Sequence, residues 1–477
     1  MSFNYAEYKN RNMEILRRCP MLAVLSGLVS GAALYDRLGL WAFILVVPAV
    51  FTGVMFLSYE WDFPEQWQAF LFALTFTILC SLRMYSVISS PPPENVVFIA
   101  EEGTVTEVRE WGRVYAVVID TKSRGKFVTF LNFANFTMGT RIKFDGATRD
   151  FRPKFPDSDF DEARFWRARG VNGVMSIHNP EELPERFSMA AVRQKLSRKL
   201  AIYMPSLTAS YLRAAWVGER DKNLNDRHRN WGTSHLLAVS GFHVWVVLFL
   251  TRFFLGKKFF MLTVILWGYI FLTGASSSAM RAGLMIQIFL FSKILGRKYE
   301  VVNNVCAAGV ILLLWSPFLF WDIGWRLSVM SALVISAMFQ TGYSWLAISP
   351  VVSLVTFPQV AYTFGSVPFV GLLLNLFAPI YFSFALTIAS LGAALRFMNF
   401  PFSQYFMLAV EGTFMLWEKI ADFFASLMPL TVGWNFLTAW IGCGTLTFFI
   451  CRYLDLAPLR IAAVMGVIGF SAFALFL

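Results

Sequence analysis

The chain has 477 residues, of which 57% are hydrophobic, 17% aromatic and only 15% charged, with a mean hydropathy of +0.56. Soluble globular domains carry about 25% charged residues, so this composition excludes an ordinary soluble protein and suits one whose helices face lipid. The formal net charge of +11 reads first as basic inner-face loops and second as a preference for an anionic partner.

Three apolar runs come first, at about Met21–Leu34, Trp41–Ser58 and Ala69–Val87. The first is short for a span and must extend into its flanks or tilt. It follows a long mixed-charge segment with no convincing cleavage site, so it reads as a retained anchor rather than a signal peptide. The "SSPPPEN" stretch at Ser89–Asn95 breaks the pattern and predicts a linker. From Val96 to about Asn179 the chain is soluble in character. Short β-rich runs such as "RVYAVVID" and "KFVTFLNF" alternate with glycine and charged turns. About five strands in this length suit a small β-barrel of the OB type, with a small sandwich as the alternative.

Between Ser188 and Trp216 apolar residues alternate with Arg193, Lys195, Arg198 and Lys199. This predicts either an amphipathic helix lying in the membrane interface or a solvated linker helix. From His235 onward the chain is almost continuously apolar. Candidate spans are His235–Phe254, Phe259–Leu272, Ala279–Leu295, Val305–Phe318, Ile323–Phe339, Trp345–Phe364, Pro368–Leu395, Tyr405–Leu427, Trp434–Cys451 and Ile461–Phe476, with the stretch around Glu411 and Glu418 a candidate for the interface instead. The expected fold is an α-helical polytopic membrane protein with an inserted small extracytoplasmic β-barrel. Its expected parts are a three-span region (1–95), the OB-like domain (96–180), an amphipathic helical linker (181–232) and a membrane domain of about nine to ten spans (233–477).

Basic residues orient the spans. Lys9, Arg11, Arg17 and Arg18 predict a cytoplasmic N-terminus, and three spans then leave the β-domain outside. Arg252, Lys257, Lys258, Lys293, Arg297, Lys298, Arg396, Arg452 and Arg460 continue the inner series, whereas "TGASSS" and "SPFLFWD" lack basic residues. The loop near Glu60–Glu65 is acidic on the inner side, which the rule tolerates because acidic residues contribute little to orientation.

The five cysteines (Cys19, Cys80, Cys306, Cys443 and Cys451) show neither CxxC nor metal spacing. The histidines (His178, His228, His235 and His243) form no HxH or HExxH pattern, and no GxxxxGK[ST] is present. No metal, cofactor, ATP site or catalytic residue is expected. The ionisable residues inside apolar runs are His235, His243, Arg281, Asp322 and Arg326. Such residues are costly in a bilayer and are functional candidates by default. On one continuous helix His243 would lie roughly 12 Å below His235 and about 80° around, so both histidines and Ser240 would border one polar cavity. Alternatively, Arg281 and Asp322 form a structural ion pair, the histidines bond to nearby backbone, and the small residues serve helix packing.

"HLLAVSGFHV" at His235–Val244, "TGASSSAMRAGLM" at Thr273–Met285 and "WDIGWRLS" at Trp321–Ser328 resemble, in order and spacing, the motifs of the ComEC competence proteins. "AAWVGERDKNL" from Ala214 resembles the segment before the histidine motif, "LLNLFAPI" at Leu373–Ile380 the family's Asn-Leu-x-x-x-Pro helix, and "FDEARFWRARGVNG" the end of its OB-like domain. Arg326 stands where the family usually has Gln, and Trp325 where it has Phe. The β-domain lacks the cysteines that form a disulfide in some relatives. Many relatives continue into a metallo-β-lactamase-like nuclease domain. This sequence ends on an apolar run, so no enzyme activity is expected.

The resemblance implies an inner-membrane channel that passes single-stranded transforming DNA to the cytoplasm. It also implies a periplasmic DNA receptor, a cytoplasmic helicase or motor and a separate nuclease as partners. His235, Ser240, Gly241, His243, Arg281, Asp322 and Arg326 would line the DNA path. In the β-domain, Trp111, Tyr115, Phe127, Phe130, Phe133 and Phe136 are candidates for stacking on bases, half or more of them expected in the core. Residues 96–180 carry 13 Arg and Lys against 11 Asp and Glu, which predicts modest phosphate affinity. The rival readings are a secondary transporter of a small organic anion, with Arg281 as counter-ion, and a scaffold in an envelope complex.

Overall fold

The computed structural model describes residues 20–58, 66–90, 96–133, 136–152, 160–219, 221–239, 241–255, 258–296, 300–433 and 435–453. In chain order these form α1 (Pro20–Leu38), a π turn (Ala42–Val46), α2 (Val47–Ser58), α3 (Gln66–Ile88), β1 (Val97–Trp111), β2 (Val114–Thr121), β3 (Gly125–Leu131), β4 (Arg141–Arg149), α4 (Glu162–Arg167) and β5 (Val171–Leu183). Then come α5 (Met189–Tyr203), α6 (Ser206–Val217), α7 (Lys222–Asn230), a 3₁₀ turn (Ser234–Leu236), α8 (Gly241–Leu255), α9 (Phe259–Leu272), α10 (Ser277–Ile294) and α11 (Val301–Trp315). A second 3₁₀ turn (Pro317–Trp321) leads to α12 (Ile323–Gln340), α13 (Trp345–Phe364), β6 (Ser366–Pro368), α14 (Val370–Phe397), α15 (Ser403–Leu427), β7 (Thr431–Gly433) and α16 (Phe436–Tyr453). The candidate span Ile461–Phe476, Ser240 and the Glu60–Glu65 loop lie outside the described residues.

Among the described residues, five helical segments are long and apolar enough to cross a bilayer: α1, Phe70–Ile88 of α3, α12, Leu346–Phe364 of α13, and α14. This is a multi-pass membrane protein. The chain divides into two compact units, one of Met1–Ser89, Leu284–Leu376 and Met428–Leu477, the other of Ser90–Gly283 and Phe377–Leu427.

In the first unit, Gly27 and Gly31 present one small-residue face of α1 to α2. A Cβ at Gly31 would lie 2.4 Å from Val47 Cγ2, the close approach that small residues permit between membrane helices. The backbone N–H of Met21 donates to Asn303 Oδ1 of α11 at 3.0 Å. Pro358 of α13 packs on Gly442 of α16, where a Cβ would stand 2.6 Å from the proline ring.

The second unit contains the β-domain, a closed five-stranded barrel in the order β1-β2-β3-β5-β4. All neighbours are antiparallel except β3 and β5. This is the OB-like barrel expected from the strand signals. Period-two alternation gives two cores. Val117 and Ile119 of β2 point inward with Phe98, Phe127, Phe136, Ile142, Phe144 and Met175. Ala116 and Val118 point outward with Val128, and Trp166 of α4 covers them completely. Asp161 starts α4 by accepting from Arg164 N at 2.9 Å, an Asp N-cap.

The linker departs from a single interfacial helix. It breaks at Met204–Pro205, and α6 is buried through Thr208, Tyr211, Leu212, Ala214 and Val217. Pro205 at the N-cap has no side-chain acceptor, so Glu411 of α15 takes that place, accepting from Leu207 N at 3.0 Å and from Thr208 N and Oγ1 at 2.7 and 2.6 Å. Trp216 Nε1 donates to Ser390 Oγ of α14 at 2.9 Å and Tyr269 Oη of α9 to Ala215 O at 2.9 Å. Arg227 pairs with Glu418, and Trp231 Nε1 donates to Asp422 Oδ1 at 2.9 Å. The acidic stretch of α15 is thus matched by protein groups of α6, α7 and the turn after α7.

Two contacts tie α5 to other helices of the second unit. Tyr203, at the end of α5, meets Phe397, at the end of α14, with centroids 6.1 Å apart. Ten residues earlier, Arg193 touches the α9–α10 loop at Gly274. Ten helical residues cover about 15 Å, half of a bilayer's hydrocarbon thickness.

Candidate functional site

Two of the three sequence motifs meet within the second unit. Gly241 opens α8, and a Cβ there would lie 3.3 Å from Ala282 Cβ of α10. Gly283 faces α9, where a Cβ would stand 2.2 Å from Ile270 Cδ1. The "SGFHV" helix start and the "RAG" turn are therefore in direct contact, and absent side chains set their spacing. Arg281, beside Ala282, is 8% exposed. His243 lies in the first turn of α8 and is half-buried.

His235 does not share that helix. It lies in the 3₁₀ turn, exposed, and α8 starts only at Gly241. The depth and angle expected for one continuous helix therefore do not hold. The cause is local: Leu237 to Val239 are not helical, and Leu237 and Val239 are buried instead.

Asp322 and Arg326 belong to the first unit. Asp322 is the N-cap of α12, its Oδ2 accepting from Trp325 N at 3.0 Å. A carboxylate there satisfies an orphan N–H and complements the helix dipole. Arg326, one turn on, donates from Nη2 to Trp321 O at 3.3 Å and lies 5.8 Å from the Phe320 ring centre. Its Nε is buried with no partner among the described residues.

In the barrel, Phe127 is 2% exposed and makes an edge contact with Phe98 at 5.6 Å. Phe136 joins the same interior cluster. Neither can stack on a base, because the inward register of the barrel removes both from solvent. Tyr115 packs partly against that interior. Phe133 is 73% exposed. Trp111 and Phe130 lie on the outer side, in an aromatic group with Phe160, Phe165 and Trp166. Trp111 is 5.1 Å from Phe165 and 5.3 Å from Trp166. Arg169 stacks on Phe165 at 3.7 Å. The β2–β3 face, which OB-folds use for oligonucleotides, is here closed by α4.

Three residues that organise the site had no strong sequence signal. Trp166 lay inside a motif quoted only for its resemblance, Glu411 read as an interfacial charge, and Arg193 as one of four cations on an amphipathic helix. Each acts across more than 20 residues of sequence, beyond the reach of periodicity.

The Competence protein family model matches residues 217–457, just over half of the chain. ComE operon protein 3 of Bacillus subtilis (strain 168) is 28% identical over 253 residues, which cover 49% of this chain and 32% of that protein. The match thus spans about a third of the relative's length. No solved structure matches. The family match begins at Val217 and takes in all three motifs. The chain belongs to the ComEC competence-protein family.

Proposed function

We propose that the chain is a channel of the inner (cytoplasmic) membrane for single-stranded transforming DNA. Its N-terminus is cytoplasmic and its β-barrel extracytoplasmic. The observation that carries the reading is Arg281, nine-tenths buried at the junction of two family motifs. A guanidinium held there meets the need of a phosphate path crossing lipid. Gly241 and His243 join it as path residues, and Arg326, in the first unit, is a separate path candidate. Asp322 serves the start of α12, and His235 stands exposed before the span. On the barrel, Trp111 and Phe130 offer partly exposed rings next to Arg109 and Arg169, which suits weak, salt-sensitive contact with bases and phosphates. A periplasmic receptor delivers the DNA, a cytoplasmic motor draws one strand inward and a separate nuclease degrades the other, as the resemblance implies.

The test is a deletion strain assayed for transformation and for uptake of small organic anions. The reading expects transformation to be lost and anion uptake unchanged. Loss of anion uptake with normal transformation would favour the transporter reading.

A further inference from the structure

The start of α5 makes contacts in two directions. Ala191 packs on the barrel, where a Cβ at Gly139 would lie 2.5 Å from Ala191 Cα. Two residues on, Arg193 turns toward the membrane helices. Its Nε and Nη2 both donate to Val217 O, at 3.2 and 2.9 Å. That carbonyl ends α6 and would otherwise lack an intrahelical donor. The next residue, Gly218, has φ +70, and a Cβ there would stand 2.4 Å from Thr273 O.

Gly274, φ +85, lies against the same guanidinium. A Cβ built on it would be 3.0 to 3.1 Å from Nη2, Cζ and Nη1 alike. Near-equal distances to three coplanar atoms mean that the flat face of the guanidinium covers Gly274. The charge is matched by Glu107 of β1 and Glu219, which oppose the lowering that burial imposes on the Arg193 pKa. Glu219 is itself held by Ser197 and Arg213. The loop gripped in this way is short. Ser276 already caps α10, accepting from Ala279 N at 3.3 Å, and Arg281 follows in the second turn.

We propose that Arg193 is a positioning residue. Its planar guanidinium joins the end of α6 to the α9–α10 loop and so fixes the start of the helix that carries Arg281, with the barrel anchored to the same turn of α5. The part of this inference that concerns uptake rests on the DNA-channel reading; the part that concerns the loop does not. Lysine cannot replace the arginine here, because an ammonium is a point charge that neither forks onto one carbonyl nor lies flat over a glycine.

The test uses full-length protein with Arg193→Lys and Arg193→Met. Membrane abundance, hydrogen exchange of the Thr273–Ser278 amides in purified protein, and uptake of labelled DNA into a nuclease-resistant state are measured together. The expected result for both variants is normal abundance, at least about tenfold faster exchange in that loop with barrel strands unchanged, and at least about tenfold less internalised DNA. Unchanged loop exchange overturns the proposal. So does full restoration by lysine, which would make charge alone sufficient, and so does loss of both variants from the membrane, which would make Arg193 a folding requirement. Faster exchange with normal uptake overturns the link to Arg281. Absence of uptake with the unmodified protein would instead overturn the channel reading, and the exchange result would still stand.

Discussion

The Tyr211 hydroxyl and His228 Nε2 are 2.9 Å apart, both buried, and His228 Nδ1 is 2.9 Å from Thr233 Oγ1. A neutral imidazole has one donor and one acceptor nitrogen, so it bridges the two hydroxyls without charge. Burial lowers its pKa to about 3, the main cause being desolvation.

This makes stability depend on pH with a defined sign. Below about pH 6.5 the unfolded chain protonates this histidine while the folded chain does not, so stability falls with pH between about 6.5 and 3. At pH 4.5 the loss from this group is about 2–3 kcal/mol. Melting of detergent-purified protein at pH 7.5 and 4.5 checks it. His228→Gln, which cannot titrate, should narrow the difference between the two pH values by that amount, and an unchanged difference would contradict the assignment.

Trp166 tests the outer core of the barrel. Trp166→Ala should destabilise by about 3–5 kcal/mol, through lost burial and a cavity over Ala116, Val118 and Val128. Trp166→Phe should cost far less, because the indole N–H has no acceptor among the described residues. Thermal unfolding of the full chain reads both. Equal losses would mean that the ring is not packed as described.

Orientation is tested by cysteine substitution and a membrane-impermeant maleimide in intact cells. The sites are the exposed Ser123, in the β2–β3 turn, and Lys258, before α9. Ser123→Cys should label from outside and Lys258→Cys should not. Asn399→Cys, next to Arg396 of the expected inner series, should not label from outside either. Labelling of Asn399→Cys from outside would remove Arg396 from the inner series.

Asp322 should behave as a cap rather than as a path residue. Asp322→Asn keeps a good N-cap and should leave abundance and transformation within about twofold, whereas Asp322→Ala should cost about 1 kcal/mol of stability. A tenfold transformation defect in a well-expressed Asp322→Asn protein would return the carboxylate to the path.

The membrane class, the barrel and most helix positions were legible in the sequence because each rests on local pattern. The Trp345–Phe364 and Phe259–Leu272 runs became α13 and α9 with the same bounds, because hydropathy alone sets them. The linker was misread because α6 is buried against α14 and α15, more than 170 residues away. His235 was misplaced because an apolar run does not distinguish helix from buried irregular chain. Phe127 and Phe130 alternate on one strand, and only the barrel's register decides which faces inward.

The channel reading turns most directly on Arg281. A deletion strain is complemented with the full chain or with Arg281→Gln, and labelled DNA is followed at the cell surface and in the nuclease-resistant pool. The account predicts normal membrane abundance, unchanged surface DNA and at least about a tenfold drop in internalised DNA, equivalent to roughly 1.4 kcal/mol if one equilibrium step carries it. Normal internalisation by a normally abundant Arg281→Gln protein would contradict it.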